Sequence, residues 1–257
     1  MKIKKNFQSE NFDKLNYDNV ARIEMALPLK KLKQKSGISS VDEIFKPPFE
    51  LFYKLIQQNI KKDMVVLELG AGTGQHTGEL VLTGASVFIL DISEESLKVA
   101  KMKFPEIGRT ILANMNSIPL AENSVDAIVS CGSLSYADPV KTNSEIDRVL
   151  KPGGILIVLD SLNHNPFYRF NRFIRFLTRM RSKDSINRIP NLPRINQLRG
   201  YFLFSQLSYF GSYLWLTLQI KKIIGDSFGV KTNNWLEKKF PSDKNAFKFV
   251  LICKNHK

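Results

Sequence analysis

Cysteine and histidine are scarce in this chain, with two cysteines and three histidines among 257 residues. Cys131 and Cys253 both sit in apolar, strand-like runs and form no CxxC pair. A disulfide framework and a structural metal site are therefore not expected, and no metal is assigned. A reducing compartment, the cytoplasm, fits this usage. The apolar stretch of a secretory signal is missing too, because the start, Met1-Lys2-Ile3-Lys4-Lys5-Asn6, is merely basic. Acid is short against base: 24 Asp and Glu face 38 Lys and Arg, a formal charge of +14. Such a field attracts anions, whether nucleic acid, acidic lipid heads or phosphorylated substrates. A composition rich in Lys, Asn and Ile gives the same charge with no anionic partner. Charge is absent altogether from 200–220, between Arg199 and Lys221. That length suits a membrane span, yet Ser205, Gln206, Ser208, Gly211, Ser212, Thr217 and Gln219 interrupt it. A buried strand followed by a helix is the expectation.

What is present is an alternation of periods. Residues 1–62 read as helical, broken near Gly37 and at Pro47-Pro48, with Phe49, Leu51, Phe52, Leu55, Ile56 and Ile60 at helical spacing. Met64 to Leu69 is then a short apolar run, as a strand buried on both faces requires. Further strands are expected at Val87–Leu90, Thr110–Ala113, Val125–Ser130 and Ile155–Leu159. Helices fall between them over 75–83, from Ser93 as a cap, and from Asn143 to Leu150. Strands alternating with helices imply a parallel sheet with right-handed crossovers. Strand-like runs at 205–213 and 246–253 would complete seven strands. The expected fold is α/β, a Rossmann-like, mostly parallel seven-stranded sheet with helices on both faces. Residues 1–62 form an N-terminal helical cap, and 63–257 the main domain with a lid insertion at about 161–204.

The chemistry centres on Glu68-Leu69-Gly70-Ala71-Gly72-Thr73-Gly74, which leaves a buried strand and enters a helix. Glycine there allows a tight turn and close approach of a ligand to the backbone. Asp91 ends the next strand about 20 residues on, where a carboxylate accepts from ribose hydroxyls. A dinucleotide fingerprint would need Gly or Ala at position 75; the residue is Gln75, and the pattern is GxGxG.

These residues resemble the class I S-adenosylmethionine (SAM)-dependent methyltransferases, and the resemblance runs from about 50 to 160. Glu68 to Gly74 is similar to the motif that wraps the methionine end of SAM, and Asp91, followed by Ile92, to the residue that holds the ribose. Asn114-Met115-Asn116-Ser117-Ile118-Pro119-Leu120 resembles the adenine segment, with Asn114 where the family often has Asp. Asn can offer its carbonyl oxygen to the adenine amino group but brings no charge. Cys131 would face the cofactor after strand four, and Arg148 to Gly154 resembles the turn before strand five. The resemblance thus implies SAM as cofactor, held by Glu68, Gly70, Ala71, Gly72, Gly74, Asp91, Ile92, Asn114, Met115 and Cys131. The family's small-molecule branch implies Tyr17 as a further cofactor contact; a helix-packing role is the alternative. Leu162 to Arg169, with Ala246-Phe247-Lys248, is similar to methyltransferases of bacterial surface-polysaccharide clusters.

Methyl transfer from a sulfonium is a displacement on an activated carbon, so alignment is the enzyme's main work. A base serves only an acceptor that must lose a proton. His164, after strand five, is the candidate base, and Tyr136, after strand four, a candidate for acceptor contact; a solvated histidine and a packing tyrosine are the alternatives. His76 reads as structural, and Asp160 as orienting substrate or capping a turn. Over 166–183 the residues Arg169, Arg172, Arg175 and Arg179 share one side of a helix and Phe167, Phe170, Phe173, Ile174 and Leu177 the other. This suits a lid with a solvated face, an acidic membrane surface or an anionic acceptor. Nucleic acid is set aside, since no RNA-binding module is visible. The expected activity is methyl transfer to a small-molecule or saccharide acceptor at oxygen. C-methylation of a quinone or lipid at the inner membrane face is the alternative, and a non-catalytic SAM-binding or interaction module the competing class.

Overall fold

Seven strands form one sheet of order β3-β2-β1-β4-β5-β7-β6 in a computed structural model that describes residues 2–34, 36–170, 182–243 and 245–255. The strands are β1 (Val65–Leu69), β2 (Ser86–Asp91), β3 (Arg109–Leu112), β4 (Val125–Cys131), β5 (Leu150–Ser161), β6 (Phe202–Phe210) and β7 (Lys248–Asn255). Strands β1 to β5 pair in parallel, and β7 runs antiparallel to both β5 and β6. The helices are α1 (Lys2–Met25), α2 (Leu29–Gln34), α3 (Lys46–Asn59), α4 (Thr77–Val81), α5 (Glu94–Lys103), α6 (Pro139–Val149), α7 (Lys183–Arg188), α8 (Leu192–Arg199), α9 (Leu214–Ile224) and α10 (Asp226–Lys239).

Alternation along the central strands divides the core into two layers. Leu67, Leu69, Ile128, Leu156 and Val158 join one buried cluster, with Ile146 and Val149 of α6. Val66, Ala127, Val129, Ile157 and Leu159 join the other, with Phe52 and Ile56 of α3 and Leu97 and Ala100 of α5. Both faces are thus covered, which explains the near-continuous apolar runs. Strand order reverses between β1 and β4, and a crevice opens at the carboxyl ends there. Helix α1 is tied to α5 beside that crevice: Lys103, 1% exposed, donates to Glu24 at 2.9 Å, and the Ser93 hydroxyl donates to Asp18 at 2.6 Å.

Several sequence expectations shift. Pro47 and Pro48 open α3 rather than break a helix, since the first turn has no use for their missing N–H groups. Helix α6 starts at Pro139, four residues earlier than expected, because the Asp138 side chain caps it by accepting from the N–H groups of Val140 and Lys141 at 3.0 and 3.2 Å. Strand β5 begins at Leu150, paired with Val125, so Lys151 to Gly154 belong to the strand. The strand and helix expected within 200–220 are present as β6 and α9, but β6 is not buried. As an edge strand paired only to β7, it leaves Leu203 83% exposed. Helix α10 went unforeseen because Gly225 and Gly229 interrupt the apolar spacing. Of the basic helix expected over 166–183, residues 166–170 are helical; Arg172, Arg175, Arg179, Phe173, Ile174 and Leu177 lie outside the described residues. No helix among the described residues is long and apolar enough to cross a membrane.

Candidate functional site

The loop after β1 is a backbone cradle. Gly70 and Gly72 adopt φ of 65° and 53°, in the left-handed region that glycine tolerates best. The N–H groups of Gly70 and Ala71 both donate to the Leu90 carbonyl, at 2.8 and 3.2 Å, which draws the loop against the end of β2. A Cβ on Gly70 would stand 2.4 Å from Cβ of Ser133, so the loop after β4 closes on it. A Cβ on Gly72 would meet nothing within 4 Å. Gly74 instead packs on α5, where a Cβ would lie 3.1 Å from that of Ala100.

Asp91 links the loop to β2. One carboxylate oxygen accepts from the Gly72 N–H at 2.8 Å and the other from the Ser93 N–H at 2.9 Å. Burial, which those hydrogen bonds only partly offset, raises its pKa above the ordinary carboxylate value. With Ile92 as a third backbone donor, the carboxylate keeps about one lone pair for a further donor. Beside it opens a cavity of about 420 Å³, within the range of roughly 300–1,000 Å³ typical of small-molecule sites.

Of the expected site residues, Tyr17, Gly70, Ala71, Gly72, Asp91, Ile92, Asn114, Met115, Cys131 and Tyr136 line this cavity. Tyr17 and Tyr136 meet edge to face across it, with ring centroids 5.4 Å apart at 81°. The side-chain oxygen of Asn114 accepts from the Asn116 N–H at 2.9 Å, so it shapes its own turn. Burial pushes the Cys131 thiol up, so this cysteine keeps its proton and acts as an apolar wall. Glu68 and Gly74 do not line the cavity. Glu68 is 2% exposed beneath the loop and accepts from the Thr77 hydroxyl at 2.6 Å, joining β1 to α4. Burial, with a smaller push from the Asp91 charge, lifts its pKa to about 7. His164 stands exposed on the loop after β5, outside the lining. Asp160 is 2% exposed and accepts from the N–H groups of Leu134 and Ser161, so it fixes the loop that carries Ser133 and Tyr136.

Among the lining residues that were not expected at the site are Phe49, His76 and Lys248. The His76 ring stacks on Phe49 with centroids 5.6 Å apart, and its Nδ1 shares a 2.7 Å hydrogen bond with the Tyr53 hydroxyl. Burial, then the Lys248 charge, depresses its pKa to about 4, leaving a neutral imidazole at the cavity wall. His76 stands two residues after the glycine motif, and that proximity is the available signal. Lys248 has none in its own segment beyond the short Ala246-Phe247-Lys248 similarity, because β7 brings it to the site from the far end of the chain.

Comparison with known proteins agrees with this geometry. Residues 67–158 match the family described as "Methyltransferase domain". An uncharacterized methyltransferase of Mycobacterium bovis is 41% identical over 91 residues, which is 35% of this chain and 37% of that protein. The demethylmenaquinone methyltransferase of Renibacterium salmoninarum is 38% identical over 106 residues, 41% of this chain and 44% of its own. The matched segment thus spans less than half of either relative. The crystal structure of the [4+2]-cyclase SpnF superposes with a TM-score of 0.53 at 18% identity, covering 80% of each chain, a likeness of fold alone.

Proposed function

We propose, on the premise that residues 67–158 are a class I methyltransferase domain whose methyl donor is SAM, that the chain transfers a methyl group to an oxygen of a small-molecule acceptor. The observation that carries this reading is the pairing of buried Asp91 with the Gly72 N–H at the wall of a 420 Å³ cavity. The residues fit the group. Gly72 and Gly132 have open space where a Cβ would stand, and both line the cavity. When bound, SAM supplies an electrophilic methyl carbon on a sulfonium whose sulfur leaves as a neutral thioether. Asp91 would accept the ribose hydroxyls and the Gly70–Gly72 backbone would follow the methionine end. Ile92 and Met115 would flank the adenine, beside the turn shaped by Asn114. Residues 1–62 serve as a cap, with Tyr17 closing over the cofactor, and 161–204 as the acceptor lid.

For an acceptor with a polar hydrogen, His76 is better placed than His164 to orient it, although its depressed pKa of about 4 makes it a weak base. It is neutral and lies at the cavity wall. With its proton on Nδ1, donated to the Tyr53 oxygen, Nε2 would keep a lone pair for a hydrogen bond from the acceptor. Tyr136 contributes acceptor contact. Alignment by these walls is the larger effect.

A second reading is C-methylation of a quinone or lipid at an acidic membrane surface. Ile223, Ile224 and Phe228, exposed by 83%, 61% and 52% where α9 meets α10, favour it, with Lys222 and Lys231 beside them. The demethylmenaquinone relative is consistent with it. Co-sedimentation with anionic vesicles separates the two readings.

Calorimetry with SAM, S-adenosylhomocysteine and NAD tests the main one. Both adenosyl ligands should bind, and Asp91→Asn should weaken them by roughly 10- to 100-fold, as expected for lost hydrogen bonds to a charged group. An acceptor screen, saccharides first, follows. Folded protein that binds neither adenosyl ligand would overturn the reading and favour an interaction module.

A further inference from the structure

A second cavity, of about 410 Å³, adjoins the first. Its walls are largely apolar, with Phe45, Pro48, Phe210, Leu214 and Phe247 among them. Lys248 lines both cavities and forms their shared boundary. Its ammonium lies 5.2 Å from the Phe49 ring centroid and 5.8 Å from that of Phe247, so aromatic faces from both sides hold it in place. Among the described residues no carboxylate pairs with it. Its charge reaches the cofactor side, where it disfavours protonation of His76 and favours the thiolate of Cys131. Glu237 also lines the second cavity, but it accepts from the Tyr213 N–H at 3.2 Å, and burial raises its pKa towards the neutral form. Lys238, exposed, adds a second cation at the rim.

A fixed, unpaired cation beside one cavity, opening onto an apolar second one, matches a ligand with an acidic group and an apolar body. We propose that Lys248 anchors the acidic group of the methyl acceptor while the second cavity holds its apolar body, so that the acceptor is an amphipathic acid. This rests on the methyltransferase reading above. A free sugar would leave the apolar walls unfilled, and a neutral hydrocarbon would leave Lys248 unpaired.

The test is calorimetry on the full chain saturated with S-adenosylhomocysteine, using octanoate, octyl phosphate and neutral octanamide as probes. At least one anionic probe should bind at least tenfold more tightly than octanamide, and the stronger of the two tells carboxylate from phosphate. Lys248→Met should weaken that probe at least tenfold, and Lys248→Arg should restore it to within about threefold. Asn234→Trp, at an exposed position of α10 that lines the second cavity, should weaken it as well. S-adenosylhomocysteine affinity should stay within about twofold in Asn234→Trp, and in Lys248→Met it should fall much less than the probe's. No anion binding, equal binding of octanamide, or no change in Lys248→Met overturns the proposal. So does a parallel loss of S-adenosylhomocysteine, which would assign Lys248 to the cofactor's own carboxylate. Wild-type protein that binds no adenosyl ligand fails the underlying reading instead, and is seen in the first titration.

Discussion

The two cavities that meet at Lys248 are built in opposite ways. One wall of the proposed cofactor cavity is a product of backbone: glycines at positive φ, N–H groups donated to Leu90 and Asp91, and a loop after β4 pressed onto Gly70. The second cavity is a product of side chains from four separate stretches, at 44–48, 209–214, 233–238 and 247–248. A backbone-built site tolerates little change at its few fixed points, whereas a side-chain-built one is retuned a residue at a time. On the proposal above, the same division would separate what a fold family holds in common from what sets the acceptor.

The sharpest test of that contrast lies within the cofactor cavity. Gly70→Ala drives a Cβ to 2.4 Å from Ser133 and also strains a φ of 65°. It should abolish measurable SAM binding and lower stability by about 2–4 kcal/mol, the combined cost of overpacking and left-handed strain. Gly72→Ala meets no neighbour, so its stability loss should be only about 1 kcal/mol. Its methyl group would project into ligand space, and SAM affinity should still fall by tenfold or more. Urea unfolding and calorimetry on both variants make the comparison. Equal stability losses would mean that the Ser133 loop yields, and that the cradle is softer than its geometry.

A smaller effect concerns what supports the cradle. Glu68 titrates at about 7 in the folded chain against 4.5 when free. Between those values the native state binds more protons than the unfolded one, so this group removes stability as pH rises from 4.5 to 7. His76 acts in the opposite sense. Its pKa falls from 6.5 to about 4, so stability is lost as pH drops through that window. The two slopes nearly cancel in the wild type. Glu68→Gln keeps an acceptor for the Thr77 hydroxyl and should gain roughly 2–3 kcal/mol at pH 8, little at pH 4.5. His76→Phe should uncover the falling slope that Glu68 produces. Unfolding at pH 5, 6.5 and 8 reads both, and a Glu68→Gln variant destabilised equally at every pH would contradict the account.

The same contrast explains how much could be read beforehand. The sheet, the glycine loop and Asp91 were legible because each is written in consecutive residues whose spacing obeys backbone geometry. Buried strands announce themselves by length and apolarity, and Ser93 by its cap. Glu68 was placed at the cofactor because it opens the motif, but β-strand alternation turns it under the loop, where Thr77 engages it. His164 was placed at the site by its position after β5, yet nothing in a local run says which way that loop leaves the sheet. His76 and Lys248 went the other way. His76 reads as structural, which its bond to Tyr53 and stacking on Phe49 fit, yet it also lines the cavity; Lys248 lies 178 positions beyond Gly70, brought back only by the antiparallel closure of β7 on β5. The second cavity has no motif because no two of its four stretches are neighbours in sequence.

Tyr17 lies between these cases and gives the mildest test. It comes from α1, outside the sheet, but reaches the cofactor cavity as a side chain against Tyr136. Its helix is held independently by the Lys103–Glu24 pair and by Ser93 on Asp18. Replacing Tyr17 by Leu therefore removes one edge-to-face contact without releasing α1. If the Tyr17 ring also packs on bound SAM, a contact of that kind is worth about 0.5–1.5 kcal/mol, and SAM affinity should fall by roughly two- to tenfold with unchanged stability at α1. Hydrogen exchange over 11–25 checks the second half of that expectation. A loss of protection there would make Tyr17 a packing residue. An affinity loss with protection intact would make the cap part of the cofactor site, a side-chain addition from outside the sheet to a glycine-loop cradle.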